Sequence, residues 1–86
     1  MEAYLIASFR SRTHTLQFLE ILKRYRIDCF TVNTPKEAGV GCGLSVKFLE
    51  NNFASVKNLL RRYVFDSFAG FFSVTNRYGK LIIKAV

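Results

Sequence analysis

Histidine occurs once, proline once and cysteine twice in this chain, and six acidic residues face thirteen Lys and Arg. One His and two Cys cannot supply a usual four-ligand zinc site. Two cysteines far apart in sequence are not a disulfide framework, so reduced thiols and a cytoplasmic setting are the default expectation. No phosphate-cradling glycine motif precedes a helix: Gly39-x-Gly41-x-Gly43 feeds a strand instead. No bound metal and no organic cofactor are therefore expected. No apolar run approaches membrane-spanning length. The opening Met1-Glu2-Ala3-Tyr4-Leu5-Ile6-Ala7-Ser8-Phe9 lacks a basic leader and its apolar run is short, so no signal peptide is expected.

Half of the 86 residues are hydrophobic, nine Phe and four Tyr among them, enough to bury one core. No low-complexity linker divides the chain, so 1–86 reads as one domain with 77–86 as a C-terminal extension. The shortage of acids leaves a net charge of +7. That suits a polyanion, an acidic partner protein or a negatively charged substrate, and equally a solvated basic surface.

Hydrophobic periodicity divides the chain into short elements. Tyr4 to Phe9 has the length of a buried strand. Ser11 or Thr13 offers an N-cap for a helix over Thr13–Tyr25, with Phe18, Ile21, Leu22 and Tyr25 at i, i+3, i+4 and i+7. Cys29–Val32 and Leu44–Phe48 alternate with period two. Asn51 or Asn52 can cap a second helix, from Phe53 to about Tyr63, whose stripe is Phe53, Val56, Leu60 and Tyr63 or Val64. Phe71–Val74 reads as a fourth strand, and Lys80–Val86 as a fifth strand or a loose tail. Leu5, Phe18, Leu22, Val46, Phe48, Val56 and Leu60 are the expected core.

The order β-α-β-β-α-β with short, right-handed connections predicts an α+β ferredoxin-like split βαβ sandwich: an antiparallel sheet with both helices on one face. Its other face would be left to solvent or to a partner. In this topology the ten-residue connection Thr34–Gly43 shares an end of the sheet with Ser8–His14. That length exceeds most hairpin loops and suggests function. The connection holds Pro35-Lys36-Glu37 and Gly41-Cys42-Gly43. Glycines on both sides are expected to leave the Cys42 thiol uncrowded, and the topology brings it toward the N-terminus of the first helix. The partial positive charge there favours a thiolate. Arg10, Arg12 and Lys36 are the cations that could add to it; His14 reads more readily as a helix-start surface residue. The same loop also reads as a glycine-rich turn that merely contains a small residue. Cys29, inside a strand, reads as packing.

The Tyr4–Phe9 strand, the Thr13-His14 helix start, the strand ending in Pro35-Lys36-Glu37 and the run Gly41-Cys42-Gly43-Leu44 together resemble the selenium/sulfur carrier protein-like family, over about Tyr4 to Val74. The resemblance implies that Cys42 carries sulfur or selenium as a persulfide or selenosulfide, received from a donor protein and passed to an acceptor. It makes Cys42 the catalytic candidate, with Arg10, Arg12, His14, Lys36, Gly41 and Gly43 around the ligand, in a carrier rather than a stand-alone enzyme. Cys29-Phe30-Thr31 departs from the family's more aliphatic second strand, and Arg77–Val86 runs past its usual end. Two other functions suit the composition: a basic RNA-binding module, although no Gly-Phe-x-Phe signature appears, and a regulatory or structural homo-oligomer using the open sheet face.

Overall fold

A computed structural model describes residues 3–39 and 41–86. It is α+β, with one five-stranded antiparallel sheet and two helices. The strands are β1 (Ala3–Phe9), β2 (Cys29–Asn33), β3 (Leu44–Phe48), β4 (Phe68–Arg77) and β5 (Lys80–Ala85). Helix α1 (Arg12–Arg24) follows β1, and α2 (Phe53–Arg62) lies between β3 and β4. In space the strands run β2-β3-β1-β4-β5. The most apolar strand, β1, is thus central, and β5 is added outside β4. No helix among the described residues is long and apolar enough to cross a membrane.

Helix α1 starts where the sequence offers a cap. The Ser11 hydroxyl accepts from the His14 N–H at 3.2 Å. It ends without glycine: Arg26 takes a left-handed φ of 61°, and the Ile27 N–H reaches back to the Leu22 carbonyl at 3.0 Å. This closes the carbonyl end in the manner of a Schellman turn with a non-glycine residue. Helix α2 is preceded by a 3-10 turn, Glu50–Asn52, and Asn52 makes no side-chain cap bond.

One face of the sheet carries both helices. Leu5, Ala7 and Phe9 of β1, Val46 and Phe48 of β3 and Cys29 of β2 cluster there with Phe18, Leu19, Ile21 and Leu22 of α1 and Val56 and Leu59 of α2. Six of the seven expected core residues are buried; Leu60 is only partly so, and Leu59 takes the inward place. Val56 and Leu59 point in while Phe53, Leu60 and Tyr63 pack partly buried against the core. Val64 is 84% exposed and leaves the stripe altogether. Phe65, Phe68 and Phe71 pack against the core, with Phe9 ringed by Phe18, Phe65 and Phe68 at 5.4–5.5 Å between centroids.

The second face is covered in part. Ile6, Ser8, Ser45 and Val74 point away from the helices and are wholly buried. A 3-10 turn at Lys36–Ala38, within the β2–β3 connection, contacts β5, although β2 and β5 form opposite edges of the sheet. Loop and C-terminal strand close over this part of the face. Strand β4, expected over Phe71–Val74, is longer at both ends, and a register shift lies between Ser8 and Phe9 where β1 meets it. Such an irregularity bends the strand and increases its twist.

Candidate functional site

The β2–β3 connection is pinned at several points. The Thr34 N–H donates to the Gly43 carbonyl at 2.9 Å, and the Cys42 N–H to the Phe9 carbonyl at 3.0 Å. Gly39, Gly41 and Gly43 all have positive φ, which L side chains rarely adopt. Gly41 is constrained twice over. Its φ is 92°, and a Cβ there would lie 3.1 Å from the Phe9 carbonyl oxygen. The glycine therefore lets the loop approach the end of β1, and that approach fixes the backbone of Cys42.

The Cys42 side chain turns toward the helix-covered face. Its sulfur lies 3.6 Å from the Leu44 carbonyl and 3.8 Å from the Thr15 hydroxyl, both within hydrogen-bond reach for sulfur. Thr15 stands in the first turn of α1 and is fully buried. Its hydroxyl is also 3.1 Å from the Ser11 carbonyl and 3.4 Å from the Leu44 carbonyl. One O–H proton thus has three acceptors in reach. It can stay on a carbonyl while Cys42 is a thiol, whose own S–H donates to Leu44, or turn to the sulfur when that sulfur carries charge. The expectation that Cys42 approaches the start of α1 matches this geometry. The expectation of an uncrowded sulfur needs correcting: Cys42 is half-buried, because the glycines free the backbone but the side chain leans on Thr15. Sequence reading missed Thr15. A threonine four residues after the capping serine, on the buried side of the helix, was its only signal.

The other candidates divide into groups. Arg10, Lys36, Gly41 and Gly43 line one open groove of about 650 Å³, together with Thr34, Pro35 and Gly39. Cys42 does not line it. Arg12 opens α1 on its exposed side and does not line the groove. His14 is engaged elsewhere: its Nδ1 is 2.6 Å from the Ser67 hydroxyl and 3.9 Å from the Asp66 carboxylate, and its ring packs beside Phe65. With the Arg10 N–H donating to the Ser67 carbonyl at 2.8 Å, these contacts tie the start of β4 to the start of α1. Ser67 and Asp66 approach the same imidazole nitrogen, so the trio lacks the relay geometry of a hydrolase triad.

Cys29 is a different kind of cysteine. It is 4% exposed, and its S–H points at the Leu19 carbonyl at 3.7 Å. Burial pushes its thiol pKa up, because a thiolate there would lose its hydration.

A family model described as "Putative Se/S carrier protein-like" matches residues 4–66, a span that contains β1, α1, the whole β2–β3 connection and α2. No curated protein and no solved structure matches the chain.

Proposed function

From the premise that this chain belongs to the Se/S carrier protein-like family, we propose that it is a small cytoplasmic carrier in which Cys42 accepts a sulfur or selenium atom from a donor protein and passes it on. The observation that supports this most is the seating of the Cys42 sulfur against the first turn of α1, with the Thr15 hydroxyl beside it and the backbone fixed to Phe9. The frame we assign is a ferredoxin-like βαββαβ unit with β5 appended, in which the β2–β3 connection and the start of α1 meet at one end.

The transfer follows from thiol chemistry. The Cys42 thiolate attacks the terminal sulfur of a donor persulfide, R–S–SH. A new S–S bond forms at Cys42 Sγ, the donor's S–S bond breaks, and the donor leaves as its thiolate, R–S⁻. Delivery repeats the exchange with an acceptor thiolate attacking the terminal sulfur, and Cys42 returns as thiolate. No external oxidant or reductant is needed. Thr15 offers a hydrogen bond to the sulfur whenever it is charged, at the start and end of each exchange. Arg10, Arg12 and Lys36 add positive potential at this end of the molecule.

Incubation with a cysteine desulfurase, free cysteine and a thiol trap tests the reading by intact mass and peptide mapping. One added sulfur atom is expected on Cys42, retained in Cys29→Ala and lost in Cys42→Ala. Sulfur found on Cys29, or on neither cysteine, would overturn it.

One observation favours a second reading, a nucleic-acid-binding module. Phe30 is 66% exposed on the face away from the helices, in register with Lys47, whose ammonium lies 4.3 Å from the Tyr4 ring centroid. Aromatics beside cations can stack unpaired bases. Salt-sensitive retention of single-stranded RNA, weakened by Phe30→Ala, would support it; retention unchanged by that substitution would remove it.

A further inference from the structure

Beneath the groove lined by Arg10 and Lys36 lies a chain of three hydroxyls that has no part in the sulfur chemistry. Ser8 Oγ is 2.8 Å from Ser45 Oγ, which is 2.6 Å from Thr34 Oγ1. Three O–H groups supply three protons, and two hydrogen bonds use two of them. Three arrangements are possible. If Thr34 donates to Ser45 and Ser45 to Ser8, the spare proton is on Ser8. If Ser8 and Thr34 both donate to Ser45, it is on Ser45. If Ser8 donates to Ser45 and Ser45 to Thr34, it is on Thr34.

Ser8 and Ser45 are both 0% exposed, and among the described residues their hydroxyls have no other partner. A spare proton on either would be a buried donor with no acceptor among the described residues, which is costly. Thr34 is only partly buried and lines the groove. Burial therefore sets the direction of the chain, and Thr34 presents its hydroxyl proton outward. It does so into a groove whose ionisable lining residues, among the described residues, are Arg10 and Lys36, with no acidic one. Neither cation is in a salt bridge among the described residues.

The geometry points to an oxyanion-binding site in this groove, for a phosphate or sulfate group that accepts from Thr34 Oγ1 and is neutralised by Arg10 and Lys36. The hydroxyl chain supplies a fixed, polarised donor, and the two cations supply charge and further donors. The site lies on the side of the loop away from the Cys42 sulfur and does not depend on sulfur transfer. Its occupant is a small free ion or the terminal group of a phosphate ester.

Titration of the full chain with inorganic phosphate, inorganic sulfate and glycerol 3-phosphate, at constant ionic strength, tests the site by calorimetry and amide chemical shifts. Saturable one-to-one binding is expected, with shifts centred on Thr34, Lys36 and Gly41. Tighter binding of glycerol 3-phosphate than of both inorganic ions assigns an ester as the occupant; equal or weaker binding assigns the free ion. Arg10→Gln and Lys36→Gln should each weaken binding about tenfold. Thr34→Val should weaken it several-fold while Thr34→Ser restores it, a pattern that general attraction to a basic protein would not give. Arg61→Gln, on α2, should leave binding unchanged. The proposal is overturned if none of the three probes saturates, if Arg61→Gln weakens binding as much as Arg10→Gln, or if Thr34→Val binds like the original chain. Thr34→Val removes the outlet of the hydroxyl chain and can destabilise the fold; should it fail to fold, the two cation variants and Arg61→Gln decide the matter.

Discussion

The two faces of the sheet are buried by different means. On one, helices α1 and α2 cover aliphatic and aromatic side chains, and removal of apolar area from water dominates. On the other, where the turn of the β2–β3 connection meets β5, Ile6 and Val74 are buried together with Ser8 and Ser45, whose burial is tolerated because each hydroxyl has a partner. The helix-covered face is redundant: many contacts share the load. The loop-covered face depends on a few hydrogen bonds and on the glycines that let the loop come close. Both candidate sites lie at the boundary between the two, where β1 ends and the loop crosses.

Four measurements would break or sharpen that contrast. The largest effect belongs to the helix-covered face. Leu22 is fully buried at its centre, and Leu22→Ala should cost about 2–5 kcal/mol in denaturant unfolding. A loss under about half a kcal/mol would mean that α1 does not anchor the core as described. Next comes thiol reactivity. Cys42 should react with iodoacetamide on the order of a hundredfold faster than Cys29, which must wait for local opening and has its pKa raised by burial. Peptide mapping that finds Cys29 labelled first would reverse the assignment of buried and working cysteine.

The remaining two effects test the loop-covered face. Ser45→Ala should cost about 1–3 kcal/mol, because it leaves the buried Ser8 hydroxyl without its partner. The double variant Ser8→Ala with Ser45→Ala should recover part of that loss, since no stranded donor remains; equal or greater loss would show that the hydroxyls contribute more than mutual satisfaction. Gly41→Ala should cost about 1–2 kcal/mol, from its positive φ and the close Phe9 carbonyl. It should also change the alkylation rate of Cys42 by a few-fold while that of Cys29 stays constant. Unchanged Cys42 reactivity would show that the sulfur is positioned without help from the Gly41–Phe9 approach.

The same contrast explains what could be read from the sequence. Helix α1 and strands β2 and β3 were legible because a helix or sheet against an apolar core imposes a period of 3.6 or 2 on its residues, and β1 because a strand buried on both faces reads as a short apolar run. Leu59 and Leu60 both fit that period, so periodicity alone does not tell which of them is the more deeply buried. The loop cover was not legible. Ser45 looks like a surface position on an alternating strand, and its partner Ser8 is 37 residues away in sequence. The position of Cys42 near α1 followed from topology alone, whereas Thr15, a polar residue at a buried helix position, carried no pattern to mark it. Charge and the predicted topology group Arg10 and Lys36 with the thiol, yet they line a groove that Cys42 does not.

The place of β1 in the sheet has a consequence for how the chain acquires its structure. Strand β1 precedes both of its neighbours in the chain: its two hydrogen-bonding edges are taken up by β3 and by β4, which ends at Arg77. Most of the chain must be available before its central strand is paired on both sides. Contacts so distant in sequence slow folding, since a long loop must close before the pairing rewards it. While the ribosome is still adding β4, one edge of the most apolar strand stays open to other nascent chains. Until β4 is in place the chain is thereby exposed to misassociation, and the thirteen cations spread along it give neighbouring copies a reason to keep apart.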